Sequence, residues 1–267
     1  MTTPSGRLAT LLTGEEGAPN NYRVDFTQGD GTGEPSVEPR HRQVIEQVRY
    51  LLDGYYSYNT GQVMVPGQIG YFPESVYWGP QLRGPDLRML VIQFGGPDGL
   101  GYPSMAQRRR GYESLMAKGG QFEDGMHVWI DELGVRHVQD GYEALTEQIV
   151  GRKLVYPPPQ YEAPIFMNPK SFTWQRDSEN DALERKSLGV FTENDLRVQC
   201  LRIRKGGSIS FGSEPVPEIL FLDQGRIVHE EAVYTRFTAF GTISGDASET
   251  LTALDDSELL YVKLPTF

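Results

Sequence analysis

One short pattern occurs twice in this chain. Residues 49–54 (RYLLDG) resemble residues 219–225 (ILFLDQG), and residues 87–94 (LRMLVIQF) resemble residues 257–264 (SELLYVKL). From Gly54 to Phe94 is 40 positions, and from Gly225 to Leu264 is 39. Two blocks at matching spacing mark a duplicated unit, so the fold has to be one architecture built twice. At 267 residues the chain has the length for two domains.

The unit is built from strands. In the first third, β-prone runs cover 21–26, 43–52, 56–65, 70–78 and 87–94, divided by GDGTGEP (29–35), DG (53–54), NTG (59–61), PGQ (66–68) and GPQLRGPD (79–86). Many short strands with a turn signal between each pair predict a sandwich or a small barrel. Strands return at 196–204, 208–211, 218–222, 226–229, 235–240 and 258–264. Between the halves, Met105, Tyr112, Leu115 and Met116 fall on one helical stripe, with Ser104 to cap it and Gly119-Gly120 to end it. A hairpin over 126–138, turning at 132–134, and a second helix capped by Asp140 and running to Val150 complete an insertion. Tyr156-Pro157-Pro158-Pro159 cannot continue a helix and reads as a rigid connector. The expected divisions are 1–100, 101–160 and 161–267.

Net charge of −11 disfavours nucleic acid and anionic membranes as main partners. Arg108-Arg109-Arg110 runs against that balance and is expected to be a solvated helix face. A single cysteine, Cys200, excludes an internal disulfide. MTTPSGRLATLLTG lacks the features of a signal peptide, and no stretch has the length of a membrane span, so the cytoplasm is the expected location.

The stretch from His41 to Gly54 resembles the first motif of the cupin family, in which two histidines one residue apart are followed by a glutamate and, after six more residues, a glycine. His41 falls on the first histidine, Gln43 on the second, Gln47 on the glutamate and Gly54 on the glycine. Residues 73–78 (PESVYW) resemble the second motif with Ser75 on the glycine and Trp78 on the histidine. EPRHRQ, EQVRY, GYFPES and the C-terminal YVKLPTF also resemble a group of bacterial bicupins. The resemblance implies a mainly β fold of two tandem jelly-roll-like barrels, and a homodimer in solution.

The departures decide the chemistry. Amide oxygen is a weak neutral donor and indole is no ligand, so of four ligand positions only His41 keeps a metal-binding group. No metal or other cofactor is expected; the alternative is a weakly held divalent metal at His41, Gln43 and Gln47. In the second repeat Glu218 falls on the glutamate position, and residues 211–214 hold no histidine.

Alternate residues on a strand share a face, so Gln47, Arg49 and Leu51 point together, as do His41 and Gln43. Trp78, Gln81 and Gln93 are added as lining, and Tyr71 and Tyr77 as neighbours. The expected pocket binds a carboxylated, aromatic or polyketide-like molecule through Gln43, Gln47, Arg49, Trp78, Gln81 and Gln93, with His41 as general base or acid and Tyr71 or Tyr77 as the opposing proton donor. It supports isomerisation, cyclisation or elimination. Arg49 has a second reading as a salt-bridge partner of Glu46 or Asp53, and His41 and Trp78 have one as structural residues. A non-catalytic binding protein and an oxygenase or lyase with an unusual metal site are the other functions in competition. His127, Trp129 and His137 are expected to pack on the hairpin, and His229 to lack companion ligands. GDGTG (29–33) has no following lysine and helix and reads as a turn.

Overall fold

Gly54 and Gly225 hold φ at +81° and +90°. A Cβ at either would stand 2.7 Å from a backbone oxygen, that of Asp86 or of Asp256. The backbone conformation and the close approach both require glycine. Each glycine follows the first-motif strand of its repeat, Ile45–Asp53 or Glu218–Gln224, at the same place, so the duplication in sequence is one in structure.

The computed structural model describes residues 6–96, 99–242 and 248–266. The first half contributes β1 (Gly6–Thr13), β2 (Tyr22–Gly29), β3 (Ser36–Glu38), β4 (Ile45–Asp53), β5 (Tyr56–Asn59), β6 (Gln62–Met64), β7 (Ile69–Phe72), β8 (Gln81–Arg83) and β9 (Arg88–Gly95). The insertion contains α1 (Met105–Ala117), β10 (Gln121–Glu123), β11 (Met126–Ile130), β12 (Arg136–Asp140) and α2 (Gly141–Val150). After the connector come β13 (Ile165–Met167), β14 (Gln175–Arg176), β15 (Leu183–Phe191), β16 (Leu196–Ile203), β17 (Ser208–Phe211), β18 (Glu218–Gln224), β19 (Ile227–His229), β20 (Ala232–Tyr234), β21 (Ala239–Gly241), β22 (Glu249–Ala253) and β23 (Ser257–Lys263).

Strand orders match element for element. A six-stranded sheet β1-β2-β9-β4-β7-β13 accompanies a four-stranded sheet β3-β8-β5-β6, and β14-β15-β16-β23-β18-β21 accompanies β17-β22-β19-β20. Removing β13 and β14 leaves the same order in both halves. Each pair of antiparallel sheets encloses an interior, giving two tandem jelly-roll barrels. β13, which follows the connector, pairs with β7 of the first barrel, Ile165 opposite Tyr71. The chain after residue 160 therefore completes the first sheet before it builds the second.

Alternation along the strands sorts three apolar clusters. Val24, Val48, Tyr71, Leu90 and Ile92 from the first large sheet pack with Val198, Ile219, Phe221, Leu260 and Val262 from the second, so the two sheets share a core. Leu201, Ile209, Leu220, Leu222, Leu251 and Leu259 fill the second barrel. The first barrel holds a smaller cluster around Leu51, Phe72, Trp78 and Met89, and that leaves part of its interior open.

In the insertion, Ser104 caps α1 with a reciprocal box to Gln107, and Gly119 follows its end at φ +85°. Asp140 caps α2 by accepting from the Glu143 amide at 3.0 Å. The strand expected over 70–78 stops at Phe72. Ser75 has φ +66°, and the chain returns only as a bridge between His41 and Trp78. In the second half, 235–240 divides into a turn and β21, because Phe237 takes φ +73°. Among the described residues no helix is long and apolar enough to cross a membrane.

Candidate functional site

The open part of the first barrel is a cavity of about 530 Å³. Its floor and walls come from the inward faces of β2, β4 and β9: Arg23, Asp25 and Thr27, Gln47 and Arg49, Val91 and Gln93. His41 and Gln43 enter from the segment before β4. Glu38 and Arg83 enter from the small sheet, and α1 and α2 form the roof.

Arg49 is the centre of the floor. It is 3% exposed. Its Nε donates to Gln47 Oε1 at 2.8 Å, and its Nη1 donates to Gln81 Oε1 at 2.7 Å and contacts the Tyr56 hydroxyl. Phe72 lies under the guanidinium, 4.4 Å from ring centroid to Cζ. Among the described residues it has no carboxylate within salt-bridge distance: Glu46 points to the opposite face of β4, into the core between the sheets, and Asp53 ends the strand. Burial, with Arg83 nearby, pushes Arg49 down to about 9, against the pull of Glu38. It stays protonated at neutral pH.

His41 Nδ1 lies 2.9 Å from the Pro39 carbonyl, so the proton is assigned to Nδ1 and Nε2 carries the lone pair. Its ring meets the edge of Trp78 at 5.1 Å. Burial lowers the imidazole below its usual 6.5, opposed by the Pro39 carbonyl and Glu38. The bare form therefore prevails at neutral pH.

The structure brings His41, Gln43, Gln47, Arg49 and Gln93 to one cavity. It does not bring Tyr71, Tyr77, Trp78 or Gln81 to its surface. Tyr71 stands opposite Val48 in register, on the face away from Gln47 and Arg49, and stacks on Phe191 at 4.6 Å between the barrels. Tyr77 is 45% exposed, with Arg40 and Arg42 over its ring at 4.4 and 4.9 Å. Trp78 is buried behind His41 against Phe72. Gln81 supports Arg49 from below and donates to Glu38 at 2.9 Å.

Arg23, Asp25, Glu38, Arg83, Arg108, Tyr112, Asp140 and Tyr142 also line the cavity and escaped the sequence reading. Alternation along β2 gives Arg23 and Asp25 once that strand is known to adjoin β9, a non-local pairing. Arg108 corrects the expectation of a wholly solvated triplet: it faces the cavity, while Arg110 pairs with Glu16 at 3.0 Å.

A divalent metal does not suit the donors at His41. The Gln43 oxygen accepts from Gln47, the Gln47 oxygen accepts from Arg49, and a buried guanidinium beside the site repels a cation. Among the described residues the group of three donors that could hold a metal is His229, Glu230 and Glu249, all within 4.8 Å of one another. This corrects the expectation that His229 has no companions; Glu249 lies 3.5 Å from its Nε2. Glu218, on the glutamate position of the second barrel, accepts from the Tyr261 hydroxyl at 2.6 Å and faces an apolar interior. His127 is buried in a ladder of rings, between Phe122 at 5.1 Å and Trp129 at 5.0 Å.

No family model and no curated protein matches this chain. Solved structures do. A candidate dioxygenase from Nostoc punctiforme aligns over 98% of this chain and 83% of its own, at 9% identity and a TM-score of 0.58. Bacterial pirin YhhW from Escherichia coli, in complex with nickel(II), aligns over 100% and 95% at 10% identity and a TM-score of 0.52. HEPD from Streptomyces albus, with 2-hydroxyethylphosphonate and Fe(II) bound, aligns over 99% and 77% at 12% identity and a TM-score of 0.51. These structures share with this chain a fold of two tandem jelly-roll barrels. Likeness at this identity concerns fold alone. In cupin terms, the positions that departed from the motifs in sequence, Gln43 and Gln47, now belong to a hydrogen-bonded chain that ends on Arg49.

Proposed function

We propose that the first cupin barrel binds a small organic acid and moves a proton on it. The observation that carries this reading is Arg49, a buried guanidinium that borders the cavity and, among the described residues, bonds only to neutral groups. A buried charge without a counter-ion is costly, and an incoming carboxylate supplies one through forked hydrogen bonds. His41 Nε2 is the base. It takes a proton from carbon next to the carboxylate, the charge moves to the carboxylate oxygens on Arg49, and the proton returns at the same or a conjugated carbon. Tyr142 also lines the cavity, with its hydroxyl buried beside Thr146 and Val44 and held protonated by that burial.

The test is a thermal-shift screen of carboxylic acids, followed by NMR of each binder in D₂O with enzyme. Loss of a C–H signal, abolished in His41→Ala with binding retained, is the expected result. Binding with no exchange or turnover would replace the reading by a non-catalytic binding cupin.

A second reading is a metal-dependent dioxygenase. It is supported by the names of the solved relatives and by the donor set of His229, Glu230 and Glu249, which suits a divalent cation such as Fe(II) or Ni(II). That metal would bind and activate oxygen, while these side chains would hold it on the small sheet of the second barrel. Oxygen uptake that requires added Fe(II) and is lost on His229→Ala would favour this reading over proton transfer.

A further inference from the structure

Arginines in a cavity wall differ in what already neutralises them. Arg23 pairs with Asp25 at 2.8 Å and Arg83 with Glu38 at 2.9 Å. Arg49 and Arg108 also line the cavity, and among the described residues neither has a carboxylate within salt-bridge distance. Among the described residues Arg108 donates only to the Tyr102 hydroxyl, at 3.3 Å. The remaining acid in the lining, Asp140, caps α2 and pairs with neither arginine, so the lining holds four guanidiniums against three carboxylates and stays net positive.

The two free cations come from opposite sides. Arg49 stands on β4 in the floor. Arg108 stands on α1 in the roof, on the face that also turns Met105 and Tyr112 into the cavity. Those positions are three and four residues away, the spacing of one helical face, which is why Arg109 and Arg110 do not join it. Tyr112 and Phe122 line the wall near Arg108 and suit an apolar or unsaturated middle.

We infer that the molecule taken by the first barrel is a dianionic organic acid, most simply a dicarboxylate, with one anionic group on Arg49 and the other on Arg108. This rests on the organic-acid reading above and adds the second charge. A chain of net charge −11 would otherwise repel a dianion, and two unneutralised guanidiniums facing one cavity reverse that locally.

The experiment measures calorimetric affinities of intact protein for succinate, glutarate, adipate and terephthalate, each beside its monomethyl ester. The ester keeps the shape and one charge and removes the other. At least one diacid should bind tenfold or more tightly than its ester. Arg108→Gln should bring that ratio below about threefold and leave the ester's affinity unchanged, whereas Arg49→Gln should weaken both ligands. Arg109→Gln, on the exposed side of the same helix, should change neither. The diacid–ester comparison in wild-type protein stands even if Arg49→Gln fails to fold. Equal affinity of diacid and ester throughout the series overturns the dianion and leaves the organic-acid reading in place. No binding by any diacid or ester overturns both.

Discussion

Arg49 Nε donates at 2.8 Å to the side-chain oxygen of Gln47, two residues back on the same strand. Strand alternation makes that contact possible, since both side chains leave the same face of β4. The position at which the cupin motif has a metal-binding carboxylate is thereby turned toward a cation.

Gln47→Glu alone should not create a metal site. The new carboxylate meets the Arg49 guanidinium and forms a buried ion pair, so elemental analysis after incubation with Mn(II) should match wild type. Adding Gln43→His and Arg49→Leu should give close to one metal per chain, because the repelling charge is gone and two imidazoles and a carboxylate converge. Metal uptake by Gln47→Glu alone would show that Arg49 does not control the site.

His41 should set the acid limb of the pH profile. Burial favours its neutral form, so the folded value lies below the usual 6.5, with Glu38 and Asp140 pulling upward and Arg49 downward. Activity that needs the bare imidazole is full above that value and lost as pH falls through it. A kcat/KM profile on the identified substrate should have its acid midpoint below 6.5; a midpoint above 6.5 would remove His41 as the base.

Glu46 is buried on the other face of β4, and burial pushes it up to about 8 from the usual 4.5. The raised value means that the unfolded chain loses this proton first. Its contribution to stability is complete below 4.5 and is lost as pH rises through about 8. Glu46→Gln should therefore stabilise the protein at pH 8 by on the order of a few kcal/mol and by little at pH 4.5. Melting curves of both proteins at the two pH values check the sign.

Tyr71→Phe should keep full turnover. The hydroxyl lies beside Glu46 between the barrels, not in the cavity, so only the pH dependence of stability should move. A large loss of kcat would return Tyr71 to the catalytic set.

Phe221 is fully buried in the core shared by the two large sheets and lies 6.0 Å from Phe26 of the first barrel. Phe221→Ala should cost about 3–5 kcal/mol. Because the core is shared, chemical denaturation followed by tryptophan fluorescence, with Trp78 in one half and Trp174 in the other, should shift as a single transition.

Local rules in the sequence determined the duplicated architecture, the strands that end at Gly54 and Gly225, the caps at Ser104 and Asp140, and the shared face of Gln47 and Arg49. Each depends on residues close in the chain: a φ that only glycine adopts freely, a side-chain oxygen near free amides, a period of two. Tertiary structure alone decided which barrel keeps an open interior, that α1 and α2 roof it, that Arg108 turns inward, and that Tyr71 belongs to the inter-barrel core. Those facts follow from sheet pairing between residues far apart, such as β2 with β9 and β13 with β7, and from which face a second layer covers. A period of two says that Val48 and Gln47 face opposite ways, but not which way is in. That was settled by the second large sheet, whose apolar face covers Val48 and Tyr71 and leaves Gln47 and Arg49 to the cavity.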